Sequence, residues 1–289
     1  MTIQALAEKT SAFISAQYAL KGIPPAQLRM EASLTRELNR LFKNAMDTLV
    51  RQVREGGIPA DRTVLISKMQ TIQAQVCDIV FGRVKSAGRQ GIKTGVRDLT
   101  RAGLPAKELT LSSVAVDAMR QRVLIASADT MKRMMGKVEQ TLAEVVKQGL
   151  TYDQAAKVIE KDFINMRTYE LRRLARTEIH GAMSSLRHDT IRDAGVFEQW
   201  ITCEDADVRD SHVELHGQIT RAGDPFSNGL RYPGDSSGDP AEFINCRCSS
   251  VPFIMPPDKM APAGMSYFYE SDLVDRPKAE LKVLKGGKA

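Results

Sequence analysis

Three of the four cysteines and two of the four histidines of this chain fall between Cys203 and Cys248. Cys203, His212, Cys246 and Cys248 supply three thiols and an imidazole, a set that zinc accepts in tetrahedral geometry. Their spacing, Cys-x8-His-x33-Cys-x-Cys, would let ligands from two distant segments clamp the turn-rich stretch between them. The Cys-x-Cys step is tighter than the usual Cys-x2-Cys knuckle, and two thiols one residue apart do not bridge each other without strain. The same region offers a metal-free solution. Asp205, Arg209, His212, Asn245 and Arg247, with Arg176 and Glu178 upstream, are the residues of a hydrogen-bonded polar core. Arg209 or Arg247 could grip a carboxylate such as Asp205 or Glu178 in a two-pronged fork, and Asn245 could bridge backbone groups. The expectation is the polar core with no cofactor; zinc is the alternative.

Catalysis has less support. Two histidines, an asparagine and several acids would suit a metal-dependent nuclease. Yet the chain has no His-Glu-x-x-His, no phosphate-binding glycine loop and no Gly-x-Ser-x-Gly elbow. His216-Gly217 reads as a helix end, and His180 and His188, two turns apart on a helix, read as surface or satisfied core residues. The expectation is a protein that is not an enzyme.

These side chains must be held by something. A chain of 289 residues, 43% hydrophobic, is long enough for one large or two ordinary domains. No apolar run approaches a membrane span, and Met1-Thr2-Ile3-Gln4 has no secretory design, so the expectation is folding in a cytoplasm with no membrane partner. Four cysteines are too few for a disulfide framework at this size. Charge is uneven. The whole chain is +6, whereas residues 196–250 hold ten acidic and four basic side chains, which leaves +12 elsewhere. A basic helical part and an acidic compact part should meet different partners.

The fold class expected is mainly α: a long-helix N-terminal part, a small α+β C-terminal domain and an extended tail. Residues 1–110 read as a helical region. Leu6, Phe13 and Leu20 mark a first segment, and Leu34, Leu38, Leu41, Ala45, Leu49 and Val53 a second that stops at Gly56-Gly57. A third runs from an Asp61 cap through Leu65, Met69, Ile72, Val76 and Ile79, with Cys77 as a small buried side chain. Residues 83–107 carry seven basic side chains against Asp98 alone, with five glycines at 82–103, and read as a solvated linker. Its Arg89, Lys93, Arg97 and Arg101 are the candidates for contact with nucleic acid.

Residues 111–195 read as long helices. One fits 112–148, with Met131, Met134 and Met135 on an adaptable stripe whose default place is the core. Gly149 ends it, and Thr151-Tyr152-Asp153-Gln154 is a capping box for the next. A further helix spans 165–194. Residues 196–255 form the compact cassette: a strand around Trp200, a short helix from about Asp207 to His216, turns, and a strand from Cys248 to Met255 that could pair with the first. In the tail, 256–289, Tyr267-Phe268-Tyr269 need something to bury against, either this chain or a partner that they dock.

The order Ala175-Arg176-Thr177-Glu178, Trp200, Asp205, Arg209, His212, His216-Gly217, Pro225-Phe226, Pro233 and Ile244-Asn245-Cys246-Arg247-Cys248 resembles the C-terminal domain of tailed-phage head-morphogenesis proteins, the Mu F-like minor head protein family, over about residues 150–254. Some members carry Cys-x2-Cys where this chain has Arg209 to His212. The resemblance implies a minor head protein of the virion, held at the portal vertex in the head interior after assembly in the host cytoplasm. It implies a role in head morphogenesis and in DNA packaging or ejection. Its partners would be the portal protein, with scaffold or major capsid protein, and packaged double-stranded DNA met through non-specific contacts. The alternative is a nuclease or toxin-like hydrolase module on a phage-derived scaffold.

Overall fold

A computed structural model describes residues 23–58 and 71–277. The expected first helix, with Leu6, Phe13 and Leu20, lies outside these residues, as do the Asp61 cap, Leu65 and Met69. The protein is mainly α, and the described residues contain four long helices: α1 (Pro25–Gly56), α2 (Gln73–Arg101), α3 (Ser113–Lys147) and α4 (Tyr152–Asp193). A small β-rich region follows. Among the described residues no helix is long and apolar enough to cross a membrane. The described residues divide into two compact units, one of residues 28–58, 71–86 and 112–179, the other of residues 23–27, 87–111 and 180–277.

The first unit is a bundle of the four long helices. Its core follows the periodicity of the sequence: Leu34, Leu38, Phe42, Leu49 and Val53 from α1, Val76, Val80 and Val84 from α2, and Met131, Met134, Val138 and Leu142 from α3. Polar pairs fix the helix directions. Arg122 pairs with Glu178, Arg133 with Glu170, and Thr141 with Asp162. The partner number falls as the α3 number rises, so α3 and α4 run antiparallel. Arg176 with Glu31, and Arg54 with Asp153, set α1 antiparallel to α4 in the same way. Thr151 and Gln154 form the capping box at the start of α4: the Gln154 side chain accepts from the Thr151 amide at 3.0 Å, and the Gln154 amide donates to the Thr151 hydroxyl at 3.4 Å. The helix then runs 42 residues without interruption, where two helices were expected.

The second unit starts from the far halves of α2 and α4, and here the linker expected at 83–107 is corrected. Residues 83–101 are helical. Ideal Cβ atoms placed on Gly91 and Gly95 would lie 2.2 Å from the Met183 carbonyl oxygen and 2.8 Å from the Thr190 side chain. These glycines serve close helix packing rather than flexibility. Met183 faces Gly91 and Thr190 faces Gly95, so the two helices run in the same direction. The only acid of the segment, Asp98, is buried and bonded to Arg187 at 2.8 Å, which closes the helix pair with a charged hydrogen bond.

On this base sits a four-stranded sheet in the order β3-β1-β2-β5: β1 Phe197–Ile201, β2 Ile219–Arg221, β3 Ser249–Phe253 and, beyond the two-residue β4 (Lys259–Met260), β5 Tyr267–Phe268. All pairings are antiparallel, with Trp200 opposite Ser250 and Ile219 opposite Phe268. β6 (Val274–Asp275) pairs with β4 in a separate ribbon. The expected helix from Asp207 to His216 shrinks to one turn, α5 (Asp210–Val213), followed by turns up to Gly217. A second single turn, α6 (Pro240–Phe243), carries an Asp239 cap whose carboxylate accepts from the Ala241 amide.

The described part of the tail runs through β4, β5 and β6 and packs on the sheet through β5. Phe268 is buried against Ile219, Phe253 and Phe197, and the Tyr269 hydroxyl donates to the Glu214 carbonyl at 2.6 Å. Two of the three aromatics proposed as partner-docking residues are therefore spent within the chain; Tyr267 alone stays exposed.

Candidate functional site

The core of the cassette is Trp200, Leu215, Phe226, Leu230, Cys246 and Cys248. Trp200 is fully buried and meets both His212 and Phe226 edge-on, with ring centroids 5.2 and 5.1 Å apart. The turn at Ile244-Asn245 delivers the cysteines to it. Asn245 adopts φ 59°, a left-handed conformation that asparagine tolerates better than most residues. The chain then extends toward β3, so residues two apart share a side. Cys246 and Cys248 point into the core, while Arg247 turns outward and forks the Asp205 carboxylate with two bonds of 2.6 Å. This pair is half exposed, so it contributes about 1 kcal/mol or less.

Inside, the ligand atoms of His212, Cys246 and Cys248 all lie within 4.8 Å of one another. His212 Nδ1 is 3.8 Å from Cys246 Sγ and 3.4 Å from Cys248 Sγ. The other ring nitrogen, Nε2, lies 2.8 Å from a Glu242 carboxylate oxygen. The two thiols titrate together. The hydrogen bond from Cys248 holds Cys246 well below the usual thiol range against the cost of burial, helped by His180 and His212. The same bond, with burial, pushes Cys248 up. Cys246 is thus the natural thiolate of the pair. A cavity of about 10 Å³ beside them, lined by Cys203, Arg209, His212, Asn245 and Arg247 among others, has room for about one water and none for a substrate.

The candidates therefore separate into groups. Cys203 is set apart from the other three ligand candidates: its thiol donates to the Arg247 carbonyl at 2.9 Å. The Arg209 guanidinium donates to the Ile244 carbonyl and not to a carboxylate. Arg176 and Glu178, expected in the same polar core, find their partners within the helical bundle, Glu31 and Arg122. Burial pushes the Glu178 carboxyl up to about 7 against the pull of Arg122. The seven-residue polar core is corrected accordingly. Asp205, Arg209, Asn245 and Arg247 form a rim around the buried cysteines, and only His212 of that set lies inside.

His180 and His188, read from the sequence as surface or satisfied core residues, are both buried, and sequence reasoning missed their partners. His180, on α4, is 2% exposed, with its Nδ1 3.4 Å from the Gln27 carboxamide oxygen. His188, a turn or two further on, meets Glu198 of β1 at 2.5 Å, and Glu198 also accepts from the Ser250 hydroxyl. Tyr232 stacks on the His188 ring at 5.0 Å, and burial pushes its phenol up to about 12. Glu198 shares its face of β1 with the buried Trp200, and no spacing rule reveals that its partner is a histidine ten residues upstream. Glu242, the partner of His212, was likewise hidden in the acidic balance of the cassette.

An irregular α+β domain of about one hundred residues, closed on a cysteine–histidine cluster and carried by the end of a long helix, is a structural class. Residues 136–251 match the family described as Phage Mu protein F like protein, so this part of the chain is similar to the domain of that family. The match begins within α3, earlier than the resemblance at residue 150, and ends in β3. No curated protein and no solved structure matches the chain.

Proposed function

We propose that the protein is a minor head protein bound to portal subunits inside the phage head, acting in head morphogenesis and in DNA packaging or ejection. The observation that carries this reading is the Mu F-like match over residues 136–251, which spans the cassette and the long helices leading into it. The methionine stripe is not the contact surface, because Met131 and Met134 are in the core of the bundle. Among the apolar side chains left for a partner on α3 are Val114, Leu124, Ile125 and Val146, exposed to 76%, 44%, 65% and 50%. Large apolar side chains at that exposure favour a protein contact. Co-expression with the portal protein of the same phage tests this. The full chain should co-purify with portal, and Leu124→Asp with Ile125→Asp should weaken that association at least tenfold. Undiminished binding by the double variant would remove α3 from the interface, and no binding by the wild-type chain would remove the portal.

Packaged DNA is the second partner proposed. Arg89, Lys93, Arg97 and Arg101 are all exposed, and their spacing of four sets them along one side of α2, away from the Gly91 and Gly95 contact. Such a row spans about 18 Å of helix and suits phosphates without regard to base sequence. Changing all four to glutamine should lower the slope of log affinity against log salt by up to about 4, measured with random-sequence duplexes. An unchanged slope would exclude this row.

A further inference from the structure

A further buried imidazole of the same unit is His180. It helps to hold the Cys246 thiol below the usual thiol range, and the turn at Gly234 packs directly on its ring: a Cβ there would fall 2.8 Å from Cδ2 and 3.1 Å from Nε2. Its Nδ1 is occupied by Gln27, and its Nε2 is buried with no hydrogen-bond partner. His212 has the mirror arrangement, with Nε2 on Glu242 and Nδ1 facing both cysteines. Each histidine thus has one nitrogen tied to an oxygen acceptor and the other free for a ligand. Metal-binding histidines are oriented in this way, by an outer carboxylate or carbonyl oxygen.

We propose that His180, His212, Cys246 and Cys248 form a Cys2His2 site for a structural zinc ion. Two thiolates and two neutral imidazoles around a divalent ion give zero net charge, which suits four ligand residues all at least 97% buried. All four coordination positions are filled by protein, so the ion holds structure and does no hydrolysis. Cys203 is left out of the set: it does not join the group of His212, Cys246 and Cys248 within 4.8 Å, and its thiol donates to the Arg247 carbonyl. The ion ties α4 to the segments around α5 and β3. Between them lie residues 202–248, which contain only two single helical turns and the three-residue β2. Binding energy for the ion is then folding energy for this stretch.

The test uses the full-length, tag-free protein purified with its thiols reduced. One zinc per chain is expected by elemental analysis, and cobalt(II) in its place should show thiolate-to-metal charge transfer with tetrahedral ligand-field bands. Competition with a chromophoric chelator should show Cys203→Ser binding zinc as tightly as wild type. His180→Ala should bind at least tenfold more weakly. Cys248→Ser should lose the ion or the fold, and for that variant residual helical signal by circular dichroism separates the two. Metal-free reduced protein that takes up no cobalt overturns the site. Full affinity in His180→Ala, or lost affinity in Cys203→Ser, overturns this choice of ligands.

Discussion

Glu198→Ala is expected to destabilise the protein by about 3–5 kcal/mol, the cost of removing one partner from a buried ion-pair contact. Glu198 is on the central strand β1 and has no exposed surface. One carboxylate oxygen meets His188 Nδ1 at 2.5 Å, and the other accepts from Ser250 on the neighbouring strand β3. The alanine variant strands an imidazole and a hydroxyl in a dry site and leaves a cavity between sheet and helix. Urea unfolding of the purified chain, followed by circular dichroism, measures the loss. His188→Ala combined with Glu198→Ala should cost clearly less than the sum of the two single changes, because the second removes a group that is already unpaired. A cost under about 1 kcal/mol for Glu198→Ala, or strict additivity, would mean that the pair does not hold α4 to the sheet.

Gly91→Ala should destabilise by about 1–3 kcal/mol or more, against the sign of helix propensity. In an exposed helix the same substitution stabilises by about 1 kcal/mol. At Gly91 the added Cβ would meet the Met183 carbonyl oxygen at 2.2 Å, with the Met183 carbonyl carbon and Cα both at 3.0 Å. Backbone atoms cannot rotate aside, so α2 and α4 must separate along the Gly91–Gly95 contact. Gly82, earlier on the same helix, is exposed with no atom within 4 Å of its ideal Cβ, and Gly82→Ala should stabilise. Opposite signs at the two positions are the expected result. Stabilisation at both would show that α2 and α4 do not pack at this distance.

These glycines also show where sequence reading stopped. Glycine and basic residues at 82–107 have the composition of a solvated linker, and composition says nothing about what lies opposite. The steps of three and four from Gly88 through Gly91 to Gly95 were the available signal, since they put small residues on one helix face. Elsewhere local chemistry sufficed. The Thr151 capping box and the stop at Gly149 both follow from nearest neighbours in sequence. The site divides along the same line. His212, Cys246 and Cys248 were visible through residue type and spacing. His180 was read as an ordinary helix histidine because the cysteine beside it is 66 residues away along the chain. Phe268 likewise looked like a docking residue because nothing local announces its pairing with Ile219.

The resemblance read from some ten positions and the family match over residues 136–251 converge on a Mu F-like C-terminal part, and a place at the portal is the central claim proposed. Cryo-electron microscopy of purified heads without imposed symmetry, combined with labelling of this chain, tests it most directly. The account predicts a few copies inside the shell against the portal ring, with density for the α3–α4 bundle reaching portal subunits. Heads that lack the chain, or that carry it uniformly over the icosahedral lattice, would contradict it.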